Sequence, residues 1–338
     1  MRVVAAPDKL RGTATAAEVA AAVGRAAWEA GWDCDEVPMA DGGEGTLAAL
    51  GGPNRVAVVT GPLGDPVPAA WRYGRTAVVE MAMASGIELV GGPEGNDPVA
   101  ASTTGTGELV AAAVDAGCRR ILVGVGGSAT TDGGLGALRA LEPLTRLRAV
   151  ELVVACDVRT PFLEAAGTFA PQKGATPAQV QLLARRLERL AQVYASSYGI
   201  DVTSLRGAGA AGGLAGGLAC AGARLAEGFE LVADELDLHD RIEGADLVVT
   251  AEGFLDEQSF EGKVVGGVAQ LAMASGVPVV AVVGQVLAGV AVPDGLEVVS
   301  LVERFGEERA TTRTVRCIEE VVAELLAGPF RPRPGSVR

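Results

Sequence analysis

The sequence predicts an α/β protein of two domains, and three observations carry that expectation. At 338 residues the chain is too long for one ordinary core. Short apolar runs rich in Val and Ile alternate with helical stretches, most regularly in the C-terminal third, which is the pattern of a doubly wound parallel sheet. Several of these runs end in glycines mixed with carboxylates and hydroxyls, and ligands bind beyond the carboxyl ends of such strands.

In chain order, residues 2–6 (RVVAA) read as a strand ended by Pro7-Asp8. Thr13 or Thr15 can cap a helix over 16–30, with Glu18 in its first turn. Residues 35–39 form a second strand that runs into ADGGEGT, 40–46, where a helix starts near Glu44 or Thr46 and stops at Gly51-Gly52-Pro53. Residues 55–60, 67–73 and 76–81 alternate with Gly-Pro and Gly-Asp turns, an antiparallel patch of a mixed sheet. TTGTG, 103–107, opens a helix over 108–116 and is a candidate anion-binding helix start.

The stretch RILVGVGGSATTDGGLGAL, 120–138, is the one to which the others compare. A buried parallel strand over 121–125 is stopped by Gly126-Gly127. Ser128, Thr130, Thr131 and Asp132 follow, and Gly133-Gly134 opens a helix, so the turn suits an anion or a metal-bound phosphate. A glycine-rich connection without a ligand accounts for this stretch equally well. Residues 140–149 have little character, and 151–156 form a strand ending at Asp157. Residues 177–198 are a surface helix with a basic face (Arg185, Arg186, Arg189) and a Leu/Val face. LRGAGAAGGLAGGLACAG, 205–222, either wraps a nucleotide or is a helix packed closely through small residues; it is a weak dinucleotide fingerprint, and no Walker P-loop exists in the chain. Then come a strand at 246–250, AEGFLDEQSFEGK at 251–263, a helix at 264–275, strands at 277–283 and 297–302, and a closing helix at 311–326 before a Pro-rich, frayed tail.

Composition limits the function. The net charge of -14 and pI of about 4.7 argue against a nucleic-acid surface and against anionic membranes as partners. No apolar run spans a bilayer, and Pro7 and Asp8 come too early for a signal-peptide core. The five cysteines are odd in number and lack CxxC spacing, so reduced thiols in a cytoplasm are expected and a zinc site is not. His239 is the one histidine, which leaves no basis for a His-dependent triad. The chain uses arginine almost throughout; its three lysines, Lys9, Lys173 and Lys263, all stand in turn-like contexts where a compact ammonium suits phosphate oxygens.

Strand ends gather the chemistry. Asp8, Lys9 and Arg11 follow the first strand, Asp41 and Glu44 the second, and Ser128, Thr130 and Asp132 the one at 121. Asp157 follows the strand at 151, and Glu252, Asp256 and Lys263 follow the one at 246. Hard oxygen ligands with ammonium groups suit Mg²⁺ and a nucleotide, because phosphoryl transfer needs charge neutralisation, alignment and a carboxylate near the attacking hydroxyl. Each carboxylate taken singly is also explained as a helix cap.

VVAAPDKLRGTATAAEVA, MADGGEGT, TTGTGEL, GVGGSATTDGG, VACDV with PQKGAT, GAGAAGG, and VTAEGFLD with GKVVGGVA, in this order, resemble the glycerate kinase family of bacterial glyoxylate and glucarate degradation. The resemblance implies a Rossmann-like doubly wound parallel sheet domain (1–50 and 240–338) and a second, inserted α/β domain with a mixed sheet (51–239). It places the active site in the cleft between them. It implies ATP and Mg²⁺ as cofactors, D-glycerate as substrate, 2-phosphoglycerate as the favoured product, and a homodimer as one open arrangement. It makes Asp8, Asp41, Asp132 and Lys263 catalytic, with Asp132 or Asp8 as base. Lys9, Arg11, Ser128, Glu252 and Asp256 fall to substrate binding, Gly126, Gly127, Lys173, Gly209 and Gly212 to the nucleotide, and Asp132 and Glu252 to the metal. Three departures stand out: Lys9-Leu10-Arg11 where the family has Ser-Phe-Lys, Phe254 in place of an Arg, and a short 140–151 segment. They raise two alternatives, a kinase of another small hydroxy acid and a catalytically weakened homologue that binds a small acid or nucleotide. A dinucleotide oxidoreductase would rest on 205–222 alone.

Overall fold

The computed structural model describes residues 1–10 and 12–328; the expectations for Arg11 and for the Pro-rich tail from 329 lie outside them. Eleven strands occur in the described chain: β1 Arg2–Ala5, β2 Asp33–Glu36, β3 Arg55–Thr60, β4 Pro66–Trp71, β5 Ala77–Glu80, β6 Arg120–Gly124, β7 Glu151–Ala155, β8 Arg224–Ala226, β9 Leu247–Leu255, β10 Val279–Val286 and β11 Leu296–Ser300. They fall into two compact units, one of residues 1–41 and 229–338, the other of 42–228.

The first unit holds a five-stranded, wholly parallel sheet in the order β11-β10-β9-β1-β2. Val3, Val4 and Ala5 are all fully buried, as the continuous apolar runs predicted for strands covered on both faces. The helix Ala16–Glu29 packs against the closing helix Thr314–Ala327 over the same core as Val3, Val249 and Val280. Its start is a complete capping box of Thr15 and Glu18. The helix Val264–Ala274 packs on β9 and β10. The strand order reverses between β1 and β9: β1 leads outward to β2, whereas β9 leads to β10 and β11 on the other side. Side chains carried past the ends of those two strands therefore border an open crevice.

Two expected boundaries moved. The second strand ends at Glu36, two residues before Pro38, which has no N–H for a ladder. β9 runs on through Glu252, Gly253 and Phe254, which the sequence placed beyond the strand's end, because β10 pairs with it as far as Leu255. Cross-strand pairing here outweighs the poor strand preference of Glu and Gly.

The second unit holds a four-stranded parallel sheet in the order β5-β6-β7-β8 and a separate antiparallel ribbon, β3-β4. The expected antiparallel patch thus ends at β4; β5 pairs in parallel with β6 and keeps only one antiparallel bridge, Arg72 with Val78. The helix Pro177–Tyr198 starts from a Thr176–Gln179 capping box and buries Leu183, Leu187, Ala191 and Tyr194.

Segment 205–222 takes the second of its two readings. It becomes the helix Ala210–Cys220, every residue of which is buried. Ala211, Gly212 and Gly213 interrupt it with positive φ angles of 52°, 68° and 92°. A side chain at Gly212 would lie 2.1 Å from the carbonyl oxygen of Thr130, and Gly133 N donates to Gly212 O at 3.0 Å. The glycines allow the two backbones to touch. Gly212→Ala is accordingly expected to destabilise by about 2 kcal/mol or more, through left-handed strain and displaced backbone. That corresponds to an apparent Tm lower by roughly 4–8 °C in a thermal melt; an unchanged Tm would refute this packing.

Candidate active site

In the first unit the strand-order reversal gathers the acidic and basic residues. Asp8 N donates to Ala251 O at 2.9 Å, which seats the Pro7-Asp8 turn beside the end of β9. Asp8 Oδ1 accepts from Lys9 N at 2.7 Å and lies 3.7 Å from Lys9 Nζ. Met39 N donates to Pro7 O at 2.9 Å, so the chain leading to Asp41 leaves alongside the same turn. Asp256 caps the short helical turn Glu257–Phe260: its Oδ1 accepts from Ser259 N at 2.9 Å, and Asp256 N donates to Ser259 Oγ at 3.0 Å in return.

Glu252 sits within this group and is 8% exposed. Its Oε1 is buried without a hydrogen-bond partner. Burial pushes its carboxyl up to about 7, helped by the negative charges of Asp8 and Asp256 and opposed by Ser259 and Lys263. A carboxyl with an unused oxygen, titrating near neutrality between a lysine and two carboxylates, is equipped to take up a proton.

In the second unit the opening glycine stretch is built from its contacts. A side chain at Gly126 would lie 2.7 Å from Glu44 N, and one at Gly124 2.9 Å from Gly42 O. The two glycine-rich motifs, ADGGEGT and GVGGSATTDGG, therefore pack backbone against backbone. Glu80, at the end of β5 and 3% exposed, holds the first of them: its Oε1 accepts from Gly45 N at 3.0 Å and Leu47 N at 2.6 Å. Ser128 is half-buried and bridges Gly86.

Asp132 ties two helix starts together. Its carboxylate accepts from Thr103 N at 2.9 Å, Thr103 Oγ1 at 2.8 Å, Gly134 N at 3.0 Å and Gly136 N at 3.2 Å. These donors begin the helices Thr104–Asp115 and Leu135–Ala140, and the carboxylate faces the positive ends of both. With its lone pairs so filled, Asp132 fits a clamp better than a metal ligand or a base. Among the described residues no three His, Cys, Asp or Glu side chains form a metal cage. Mg²⁺ needs no such cage, since it takes one or two carboxylates and completes its shell with phosphate and water.

Lys173, expected to face phosphate, is 3% exposed, and its Nζ donates to Thr130 O at 2.7 Å. Burial lowers its amine to about 7, against the opposing pull of Asp132. Its own carbonyl accepts from Asn96 Nδ2 at 2.9 Å, and the same amide reaches Ala129 O at 2.9 Å. Lys173 and Asn96 thus staple the 129–132 turn from two sides. Gly209 is packed similarly: a side chain there would lie 2.4 Å from Pro161 O. Gly127, at φ +69°, turns the chain and receives Ile87 N on its carbonyl at 2.8 Å.

The structure thus gathers Asp8, Lys9, Glu252, Asp256 and Lys263 around one crevice edge, and Gly126, Ser128, Asp132, Lys173 and Gly212 around one turn. Glu80 and Asn96 were not singled out from sequence, and Thr103 only as the first residue of the TTGTG helix start. An acidic residue closing the apolar run TAVVE was a readable sign for Glu80; Asn96 and Thr103 act through contacts distant in sequence.

Two pH effects of opposite sign follow. Glu252 binds its proton more tightly folded, at about 7, than its ordinary 4.5, so its contribution to stability is present below 4.5 and lost as pH rises through 7. Glu252→Gln should gain on the parent in urea unfolding between pH 5 and 8; a constant difference would contradict the buried carboxyl. Lys173 binds its proton less tightly folded, at about 7, than its ordinary 10.5, so the unfolded chain holds the extra proton between those values and stability rises with pH across them. Lys173→Met should flatten that rise in unfolding measured from pH 7 to 10, and an unchanged slope would count against it.

The chain matches the model of the glycerate kinase family over residues 3–143 and 142–327. It is 39% identical to Glycerate 2-kinase of Escherichia coli K12, over 84% of this chain and 85% of that protein. It is 38% identical to the Glycerate kinase of Bacillus subtilis 168, over 85% of each. The crystal structure of a protein described as putative glycerate kinase 2 from Salmonella typhimurium LT2 superposes with a TM-score of 0.82 at 36% identity, covering 97% of this chain and 99% of that one. With the doubly wound sheet, the crevice-edge carboxylates and a match along nearly its whole length, the chain belongs to the glycerate kinase family.

Proposed function

We propose that this protein transfers the γ-phosphoryl group of ATP to D-glycerate in a Mg²⁺-dependent reaction, with 2-phosphoglycerate as product. The observation that carries the reading is the group at the β1/β9 crevice: a buried carboxyl with an unused oxygen beside Asp8, Lys9, Asp256 and Lys263. The similarity to a protein named Glycerate 2-kinase supports the choice of substrate and of position.

In this mechanism Glu252 accepts the proton of the attacking hydroxyl at Oε1, taking the part that the sequence gave to Asp8 or Asp132. Lys9 and Lys263 neutralise charge on the transferring group, which asks for electrostatic stabilisation more than for covalent chemistry. Asp8 is the carboxylate suited to Mg²⁺, and the ion, when bound, offsets phosphate charge. Asp132 and Lys173 hold the 129–136 backbone in place. The reaction is assigned to the cytoplasm, in keeping with five free cysteines, and no helix among the described residues is long and apolar enough to cross a membrane.

Phe254 favours a second reading. It stands where the family pattern has an arginine and is 57% exposed, so it offers no cation to a substrate carboxylate. A related small hydroxy acid is then the acceptor.

Coupled ADP release with Mg-ATP and D-glycerate tests the first reading, with ³¹P NMR of the product to fix the position. ADP release that requires D-glycerate is expected, and Glu252→Gln should lower kcat by about 10²–10⁴-fold. Absence of turnover with D-glycerate overturns the first reading, and turnover with another 2-hydroxy acid installs the second.

A further inference from the structure

The basic face of the helix Pro177–Tyr198 has no part in the mechanism above. It borders a groove of about 500 Å³ in the second unit. One wall is Leu182, Leu190 and Val193 of that helix, all half-buried. The facing wall is Val99 and Leu135, and Thr131 and Asp132 also line the groove. Three arginines, Arg185, Arg186 and Arg189, stand on its rim. Arg186 Nη1 donates to Val99 O at 2.8 Å across the groove, and Arg189 Nη1 donates to Gln192 Oε1 at 2.9 Å.

Two features mark this as more than a seam between elements. Thr131 is 1% exposed, and its hydroxyl has no hydrogen-bond partner among the described residues. A buried hydroxyl without a partner costs free energy that a bound polar atom would recover. The groove also gathers three positive charges in a chain whose net charge is -14. An apolar slot with one polar point and a cationic rim matches a flat heterocycle bearing an anionic tail. A small hydroxy acid has no apolar body with which to fill it.

We propose that this groove seats the nucleotide. The base lies on Leu182, Leu190 and Val193, a polar atom of the nucleoside meets Thr131 Oγ1, and the phosphates lie along Arg185 and Arg189. The proposal names the donor site of the phosphotransferase reading and rests on it. It also moves nucleotide binding away from Gly209 and Gly212, whose free sides are filled by Pro161 O and Thr130 O.

Photolabelling with 8-azido-ATP, followed by peptide mapping, locates the base without any need for turnover. Labelling within residues 131–135 or 182–193 is expected, and labelling confined to other peptides overturns the site. Equilibrium binding of a fluorescent ATP analogue gives a second readout, with circular dichroism to confirm folding. Arg185→Ala with Arg189→Ala should weaken it by about tenfold or more, since each removes a charge-assisted contact. A Kd within twofold of the parent overturns the proposal. Failure of the kinase reading looks different: the groove is labelled and the arginine variant binds weakly, yet D-glycerate gives no ADP.

Discussion

The parallel pairing of β1 with β9 is the constraint on which the candidate chemistry depends. β1 and β9 lead away from each other in the sheet, and residues beyond their carboxyl ends border the crevice between the diverging connections. Pairing of β9 with β10 takes Glu252 into a strand instead of leaving it on a loop. Val283 of β10 pairs with Glu252 in the ladder and the residue is buried, so the carboxyl is held where water cannot reach all of it. Its raised proton affinity follows from that confinement more than from any single neighbour.

The second unit solves another problem, that of placing backbone close to backbone. Three glycine-rich stretches that lie far apart in sequence meet around 124–136. Each contact would be blocked by a methyl group, as the short distances at Gly126 and Gly212 show. Close packing alone would leave many amides without partners, and Asp132, Glu80, Asn96 and Lys173 supply what is missing. These side chains serve the backbone first. Any chemistry in the 129–136 turn therefore draws on main-chain groups and hydroxyls held rigidly by buried charges.

Much of this was legible from the chain alone. The apolar runs gave ten of the eleven strands near their observed places, since Val-rich segments bounded by Gly and Pro leave few other readings. The helix at 177–198 was legible to the residue, because Thr176, Pro177 and Gln179 mark its start and Gly199 its end. What failed was local reading of residues whose conformation is set from a distance. Glu252 and Gly253 look like a turn until β10 pairs with them. The three-residue strand Arg224–Ala226 is too short for any period to show. In the site, the acidic and basic residues were visible as a set, but their division of labour was not. Asp132 looked like a reacting carboxylate, and only the donors converging on it from Thr103 and Gly136 reveal the clamp.

The most direct test is the proton affinity of Glu252 itself, read by ¹³C NMR of the side-chain carboxyl in glutamate-labelled protein and assigned by the signal absent from the Gln variant. The account predicts a midpoint near 7, well above that of exposed glutamates in the same spectra. A midpoint at the ordinary 4.5 would mean that the carboxyl is open to water, and the crevice-edge site would fall with it.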